Sequence, residues 1–440
     1  MRQLLDRDRP ATDVLDAIAG TYPRIAHVRL AGEHVYFLNH PDPVRELFVS
    51  QGRFTVKGRA LQRSKALLGE GLLTSEGELW RRQRRLVQPA FHADRIGGYV
   101  DQMVASADEH ALARWADGQR IDLAADMAVL TLTIVGRALF GSDLRAEAGE
   151  VGDALAEMVR QFRRTVVPGT QVLDRLPLAS NRRGAAAVAR LDAVVERLIA
   201  RRQGAADASG GAGGDVLSVL LATGMAGRQV RDEVMTLVLA GHETTANALT
   251  WAWYLLSRDQ EAAAAMRAEL DTVVGGRPGR AVAVGDLRSL PYTTAVVAET
   301  LRLFPPAWAM GRRVRRDVVV DGWTLPAGSL AIASQYVLHR DPASWSDPTS
   351  FLPGRWIDAA GDFDQAAPGQ PRGAWFPFGL GQRVCVGEPF AWAEAVALLA
   401  TLSRSWRVEV DPDYVAVVQP AVTLRPLGPV PATVRRAPAS

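Results

Sequence analysis

The sequence predicts a mainly α protein with small β-sheets, in one large unit spanning residues 1–440. Three observations predict it. Apolar residues recur at helical spacing through most of the chain. Strand-like alternation is confined to about 25–40, 312–336 and 407–436. There is no internal repeat, so a solenoid or propeller is excluded.

Taken in order, HVRLAGEHVYFLNH (27–40) reads as a hairpin, two β-rich runs about a glycine turn. The most apolar window, MAVLTLTIVGRALF (127–140), is short and carries Arg137, which fits a buried core helix better than a membrane span. Helical periodicity covers 192–202, 231–259 and 260–274, and Gly275, Gly276 and Pro278 close the last of these. QGAADASGGAGGD (203–215) reads as a flexible connector between helices. In 312–336, β-branched runs broken by Asp-Gly and Pro-Ala-Gly predict a hairpin. EPFAWAEAVALLATLSRSW (388–406) is an apolar helix, and a proline-punctuated strand region ends the chain.

Composition narrows the function. The chain is 48% hydrophobic and 22% charged, enough for a large core. A formal charge of +3 is not the field of a dedicated nucleic-acid binder, although basic residues, nearly all arginine, cluster locally. The start, MRQLLDRDRPATDVLD, has no secretory pattern or membrane anchor, so the expectation is a soluble, cytoplasmic protein. A single cysteine, Cys385, excludes an internal disulfide framework and any all-cysteine metal site.

That cysteine lies in FPFGLGQRVCVGEPF (376–390). A lone cysteine is usually a small buried hydrophobe, so the case for function rests on its loop. Gly379, Gly381 and Gly387 permit tight backbone folding, with Gly387 allowing close approach of a flat ring. The helix that follows directs free N–H groups and a positive dipole end at the sulfur, which favours a thiolate. Phe378 stands where it would shield the sulfur. These positions form F-x-x-G-x-R-x-C-x-G, and here the sequence resembles the cytochrome P-450 family, the haem-thiolate monooxygenases. The resemblance implies that Cys385 ligates the iron of haem b (iron protoporphyrin IX) and that Arg383 reaches a haem propionate.

Further motifs follow in the family's order. In ELWRRQRRLVQPAF (78–91), Trp80 and Arg84 share a helical face at i,i+4. The bland alternative is a packed indole beside a solvated basic face; the resemblance makes them propionate contacts. In LAGHETTANAL (239–249), Gly241 sits in mid-helix at a cost of about 1 kcal/mol, which makes sense if a ligand approaches the backbone at Ala240 and Gly241. Glu243 and Thr244 follow. Threonines often bond a carbonyl within their own helix, but the family pattern places this acid–alcohol pair over the iron, delivering protons to dioxygen. His242 is read as structural. In AETLRLFPP (298–306), Glu299 and Arg302 fit E-x-x-R, and Arg355 with Trp356 in FLPGRW completes a structural network, with Gly354 where many members carry Glu. Arg312 resembles another propionate-binding arginine, with Arg313 adjacent.

The resemblance therefore implies insertion of one oxygen atom from dioxygen into a lipophilic small molecule, by hydroxylation or epoxidation. A terpenoid, polyketide or fatty acyl compound of bacterial secondary metabolism is expected. No flavin domain follows the motifs, so electrons are expected from a ferredoxin or flavodoxin with its reductase. Arg81, Arg82 and Arg85 offer a landing site, weighed equally against simple solvation. Substrate contacts are expected in about 55–75, 160–185 and 306–311, with Phe54, Leu68, Phe162, Pro306, Trp308 and Met310 among the apolar residues and Arg163 and Arg164 at one rim. Two other functions fit the same motifs: a haem-thiolate isomerase or dehydratase needing no external electrons, and a non-catalytic haem sensor. The acid–alcohol pair weighs against the first, and the lack of a signalling domain against the second.

Overall fold

The computed structural model describes residues 9–30, 32–166, 178–209, 215–275 and 280–437. Its centre is the 32-residue helix Gly227–Arg258, in which twenty residues are buried. Leu123–Phe140 lies against it, and Ala93–Arg114, Pro291–Leu303 and Glu388–Ser405 complete the main core. The ends of Leu123–Phe140 are legible in its residues. Asp122 caps the first turn by accepting from Ala124 N at 3.1 Å, and Gly141 ends it in the left-handed conformation, φ 60°. Among the described residues this helix alone is long and apolar enough to cross a membrane, and it packs inside the core.

The β structure forms a separate layer with its own apolar cluster. Five strands pair in the order Ile25–Leu30, Glu33–Leu38, Leu330–Ala333, Met310–Val314 and Thr55–Lys57. The expected hairpin at 27–40 is present, with Val28 opposite Val35. In 312–336 the Asp-Gly turn forms a tight hairpin between Val318–Val320 and Trp323–Leu325. Asp321 and Gly322 both take positive φ there. Met310–Val314 runs antiparallel to both Leu330–Ala333 and Thr55–Lys57, so Lys57 stands directly opposite Arg312. The C-terminal region contributes Trp406–Val410 and Pro431–Arg436, paired with each other, and a small hairpin of Val418–Pro420 with Leu424–Pro426.

Two boundaries differ from the sequence reading. The helix beginning at Ala179 runs to Ser209, through the first half of the expected connector; its alanines sustain helix where glycine content alone suggested a loop. Residues 210–214 of that connector lie outside the described residues, as do Gly276 and Pro278. Trp406 begins a strand rather than ending the helix.

Candidate active site

The cysteine loop is folded by its glycines and tied at its base. Gly379 and Gly381 take φ of 82° and 68°, and a Cβ on Gly381 would stand 2.3 Å from the Phe48 carbonyl oxygen. Cys385 N donates to Phe378 O at 2.9 Å, closing the loop. Phe378 packs against Trp392. The backbone N–H groups of Gly387 and Glu388, which open the helix Glu388–Ser405, point at the Cys385 sulfur. Burial pushes the thiol above its usual pKa and those two N–H groups oppose that rise. The surrounding protein desolvates the thiol, yet Cys385 as a residue is exposed. At Gly387 a Cβ would lie 3.9 Å from that sulfur.

The central helix crosses the helix after the cysteine. Ala248, Leu249 and Ala252 of the first share a small void with Ala395 and Leu399 of the second, and Thr245 lies beside Glu394. One turn earlier, Ala240 is exposed although Val234, Leu237 and Val238 before it are buried. Thr244 Oγ1 donates to the Ala240 carbonyl at 2.7 Å, the within-helix bond open to any threonine. Glu243 Oε1 accepts from Thr423 Oγ1 at 2.7 Å. Gly241 has a packing role within the protein that sequence reading did not find. A Cβ there would meet Val135 Cγ2 at 3.0 Å, so the missing side chain lets Leu123–Phe140 approach the central helix. His242 is structural, as expected: it is buried, its carbonyl accepts from Thr131 Oγ1, and burial lowers its pKa to about 4.

Glu299, Arg302 and Arg355 come together. Glu299 Oε1 accepts from Arg302 Nη2 at 2.8 Å, Arg355 Nε at 3.1 Å and Leu352 N at 3.0 Å. Its Oε2 accepts from Arg302 Nε and Trp356 Nε1, each at 2.8 Å. Arg302 spends its remaining donors on the carbonyls of His339, Pro348 and Ser350. His339 in turn accepts from Phe376 N at 3.0 Å, and Phe376 begins the cysteine loop. The network is thus linked to the iron-ligand candidate through one histidine, which burial beside Arg302 keeps neutral, its pKa lowered to about 3.

The propionate candidates are distributed unevenly. Strand alternation separates the two neighbouring arginines: Arg313 pairs with Glu33, while Arg312 turns inward against the Phe48 ring. Burial lowers the Arg312 pKa to about 10, with Arg383 adding to the shift and Glu76 opposing it; its one hydrogen bond in the structure is to the Gly311 carbonyl. Arg383 is committed to Glu76 and Ser75 O and lies 3.6 Å over the Trp80 ring. Arg84 Nη1 donates to the Val384 carbonyl at 2.6 Å and so braces the cysteine loop. Sequence reasoning missed Lys57, which is buried, donates to the carbonyls of Leu72 and Ser75, and has its pKa lowered to about 7, chiefly by burial. The available signal was that it is one of only two lysines in an arginine-rich chain. Glu76 was also missed.

A haem fits this arrangement. One exposed cysteine has a sulfur that receives two backbone N–H donors. Lys57, Arg312 and Arg383 share the carboxylate of Glu76, and Arg383 lies two residues before the cysteine. A flat ring carrying two carboxylates satisfies both needs.

The expected substrate segments are met in part. Phe54 and Met310 are half-buried and pack with the cluster beneath the sheet, and the Met310 sulfur lies against Gly379. Trp308 Nε1 donates to the Ala421 carbonyl and Leu424 N to that of Pro306, placing 306–308 beside the C-terminal hairpin. Residues 167–177, and the side chains of Leu67, Phe162, Arg163, Arg164 and Val166, lie outside what is described.

Comparison with known proteins agrees with this geometry. The Cytochrome P450 family model matches residues 3–425. Cyclooctatin synthase of Streptomyces melanosporofaciens is 40% identical over 408 residues, 91% of this chain and 86% of its own. Cyclooctat-9-en-7-ol 5-monooxygenase of the same organism is 34% identical, covering 88% and 83%. Pentalenene oxygenase of Streptomyces avermitilis is 34% identical, covering 88% and 85%. Among solved structures, the crystal structure of cytochrome P450DA heme domain superposes with a TM-score of 0.82 at 26% identity, covering 97% of this chain and 93% of that one.

Proposed function

The chain belongs to the cytochrome P450 family, and from that premise we propose that this haem-dependent monooxygenase inserts one oxygen atom into a cyclic terpenoid. The coarser statement, a monooxygenase, needs no proposal: two Streptomyces relatives at 34% identity are named as a monooxygenase and an oxygenase. A terpenoid substrate is supported by three relatives whose names are those of cyclooctatin and pentalenene oxidation. Hydroxylation suits such a skeleton, with epoxidation open where it carries an alkene.

When bound, the haem supplies the iron at which dioxygen, with two electrons from a redox partner, is activated. Cys385 would hold that iron, and the N–H groups of Gly387 and Glu388 would stabilise the sulfur as an anion. Arg312 and Lys57 would meet the propionates, with Arg383 and Trp80 forming the adjoining wall. Glu243 and Thr244 would hold and pass protons on the opposite face. The Glu299–Arg302–Arg355 network would keep the cysteine loop in place. A ferredoxin or flavodoxin with its reductase would supply electrons in the cytoplasm. A rearranging enzyme needs no proton delivery, so the Glu243–Thr244 pair favours the oxygenase.

The observation that carries this reading is the exposed Cys385, whose sulfur receives two backbone N–H donors from the start of the following helix. In the reduced protein, carbon monoxide should give the strongly red-shifted Soret band of thiolate ligation, and Cys385→Ser should abolish it. Pentalenene and cyclooctat-9-en-7-ol should each be tried in spin-state titrations against a long-chain fatty acid. A response to the fatty acid alone would overturn the terpenoid assignment and leave the monooxygenase standing. Turnover with peroxide alone equal to that with the electron-transfer system would overturn the use of dioxygen.

A further inference from the structure

We infer that Thr423 is a positioning residue for Glu243, fixing which carboxylate oxygen can take a proton. The inference rests on the reading of Glu243 as the proton-handling acid. Thr423 lies 180 positions away in sequence, at the turn between Val418–Pro420 and Leu424–Pro426.

A threonine hydroxyl has one hydrogen to give and lone pairs to receive. Thr423 Oγ1 is 2.7 Å from Glu243 Oε1 and 3.1 Å from Asn247 Nδ2, and Thr423 and Asn247 are both buried. A carboxylate only accepts, so the hydroxyl hydrogen must point at Glu243 and the Asn247 amide must donate to the hydroxyl. The direction is therefore set along the whole chain: Asn247 to Thr423 to Glu243. With a hydrogen already aimed at Oε1, a proton arriving at that oxygen is opposed, and Oε2 is the oxygen left to receive it. Reversing the direction would require the buried Asn247 amide to turn over.

The mount is rigid. Leu424 N donates to the Pro306 carbonyl at 2.9 Å, and Trp308 Nε1 to the Ala421 carbonyl at 3.0 Å. Trp251 Nε1 donates to the Leu424 carbonyl at 3.3 Å. These bonds do not involve the Thr423 hydroxyl, so removing that hydroxyl leaves the turn fastened. They also join the turn to 306–308, where substrate contacts are expected.

The test uses the haem-loaded full chain with Thr423→Val, Thr423→Ser, Glu243→Gln and the Glu243→Gln/Thr423→Val pair. Reduced nicotinamide consumption in air is followed without added substrate, through a surrogate ferredoxin and reductase, in light and heavy water. Amide hydrogen exchange over 418–426 is measured in parallel. Thr423→Val should slow consumption by about 3–10-fold and enlarge the solvent isotope effect, as expected for loss of a hydrogen bond to a charged group. Thr423→Ser should restore both, exchange should stay unchanged, and the double variant should be no slower than Glu243→Gln. A Thr423→Val protein identical to the parent, with Glu243→Gln slowed, overturns this inference alone. Faster exchange at the turn with equal slowing in the Glu243→Gln background makes Thr423 merely structural and also overturns it. If Glu243→Gln itself matches the parent, the proton role of Glu243 falls and the inference with it.

Discussion

Two buried charge clusters flank the cysteine loop, and they are built on opposite plans. In the Glu299–Arg302–Arg355 network every carboxylate oxygen and guanidinium nitrogen that is buried has a protein partner, down to carbonyls and an indole. In the other, Lys57 and Arg312 face one another across paired strands, an arrangement that is unfavourable for like charges, and Glu76 is the carboxylate they share with Arg383. The first is closed and needs nothing from outside the chain. The second sets three basic side chains against one carboxylate, an imbalance that an anionic ligand would redress. Structural polarity is complete in itself, whereas polarity meant for a cofactor is left unfinished.

The largest effect should come from breaking the closed cluster. Glu299→Gln keeps the shape but leaves Arg302 buried without its counter-charge, at a cost of about 3–5 kcal/mol. Because the network reaches Phe376 through His339, the variant should accumulate with little haem. Haem content per chain and the thermal midpoint check this, and a stable, fully loaded Glu299→Gln protein would refute the distinction between the clusters.

A third buried group sharpens the contrast. Glu394 has no cation and no well-formed hydrogen bond, Thr245 being the polar side chain beside it, and burial raises its pKa to about 8. Folded protein then keeps a proton that the unfolded chain loses between about pH 4.5 and 8, so stability falls as pH rises through that window. By pH 7 the loss is about 3 kcal/mol. Glu394→Gln should be more stable than the parent at pH 7 and equal to it near pH 4. Unfolding midpoints at the two pH values test this; parallel profiles would mean that Glu394 is charged and paired.

How much of this was legible follows from the same physics. Motifs at short spacing survived because one helix or loop holds their residues. Glu299 and Arg302 sit one turn apart, and the cysteine loop is continuous. The hairpin at 27–40 and the Asp321–Gly322 turn were likewise local. What sequence could not give was pairing over distance. Lys57 meets Arg312 only through sheet register, and Thr423 meets Glu243 only through tertiary packing. Gly241 was placed correctly in a helix, but its fit against Val135 was not legible, because the spacing of a glycine does not say which neighbour it admits.

Arg312→Leu separates the clusters at a smaller scale. Its effect should have opposite signs in the two forms of the protein. Without haem, removing an unpaired buried charge should leave stability unchanged or raise it. With haem, losing a charge-assisted bond to a propionate should speed haem release by about 10–100-fold. Haem transfer to an acceptor protein measures the second and apoprotein unfolding the first. Lower stability of the apoprotein would show that the cation is already satisfied within the chain.

The smallest effect is expected outside both clusters, on the exposed face of the helix Gly77–Val87. Trp80, Gln83 and Val87 are its buried residues, and Arg84 reaches under the cysteine loop to the Val384 carbonyl. Arg81, Arg82 and Arg85 therefore project into solvent close to the iron-ligand candidate. Arg81 pairs with Glu78 one turn away, an exposed contact of little energetic consequence. Charges of this kind act at a distance, steering an acidic partner within the Debye length of about 10 Å at 0.1 M salt. Arg81→Ala with Arg82→Ala should slow reduction by an acidic ferredoxin about 3–10-fold at low salt and leave it unchanged at high salt. Stability and the carbon monoxide spectrum should move little, since Arg81 acts on the buried clusters only as a like charge near Arg383. If the two salt dependences superimpose, these arginines are only solvated, and the partner approaches by another face.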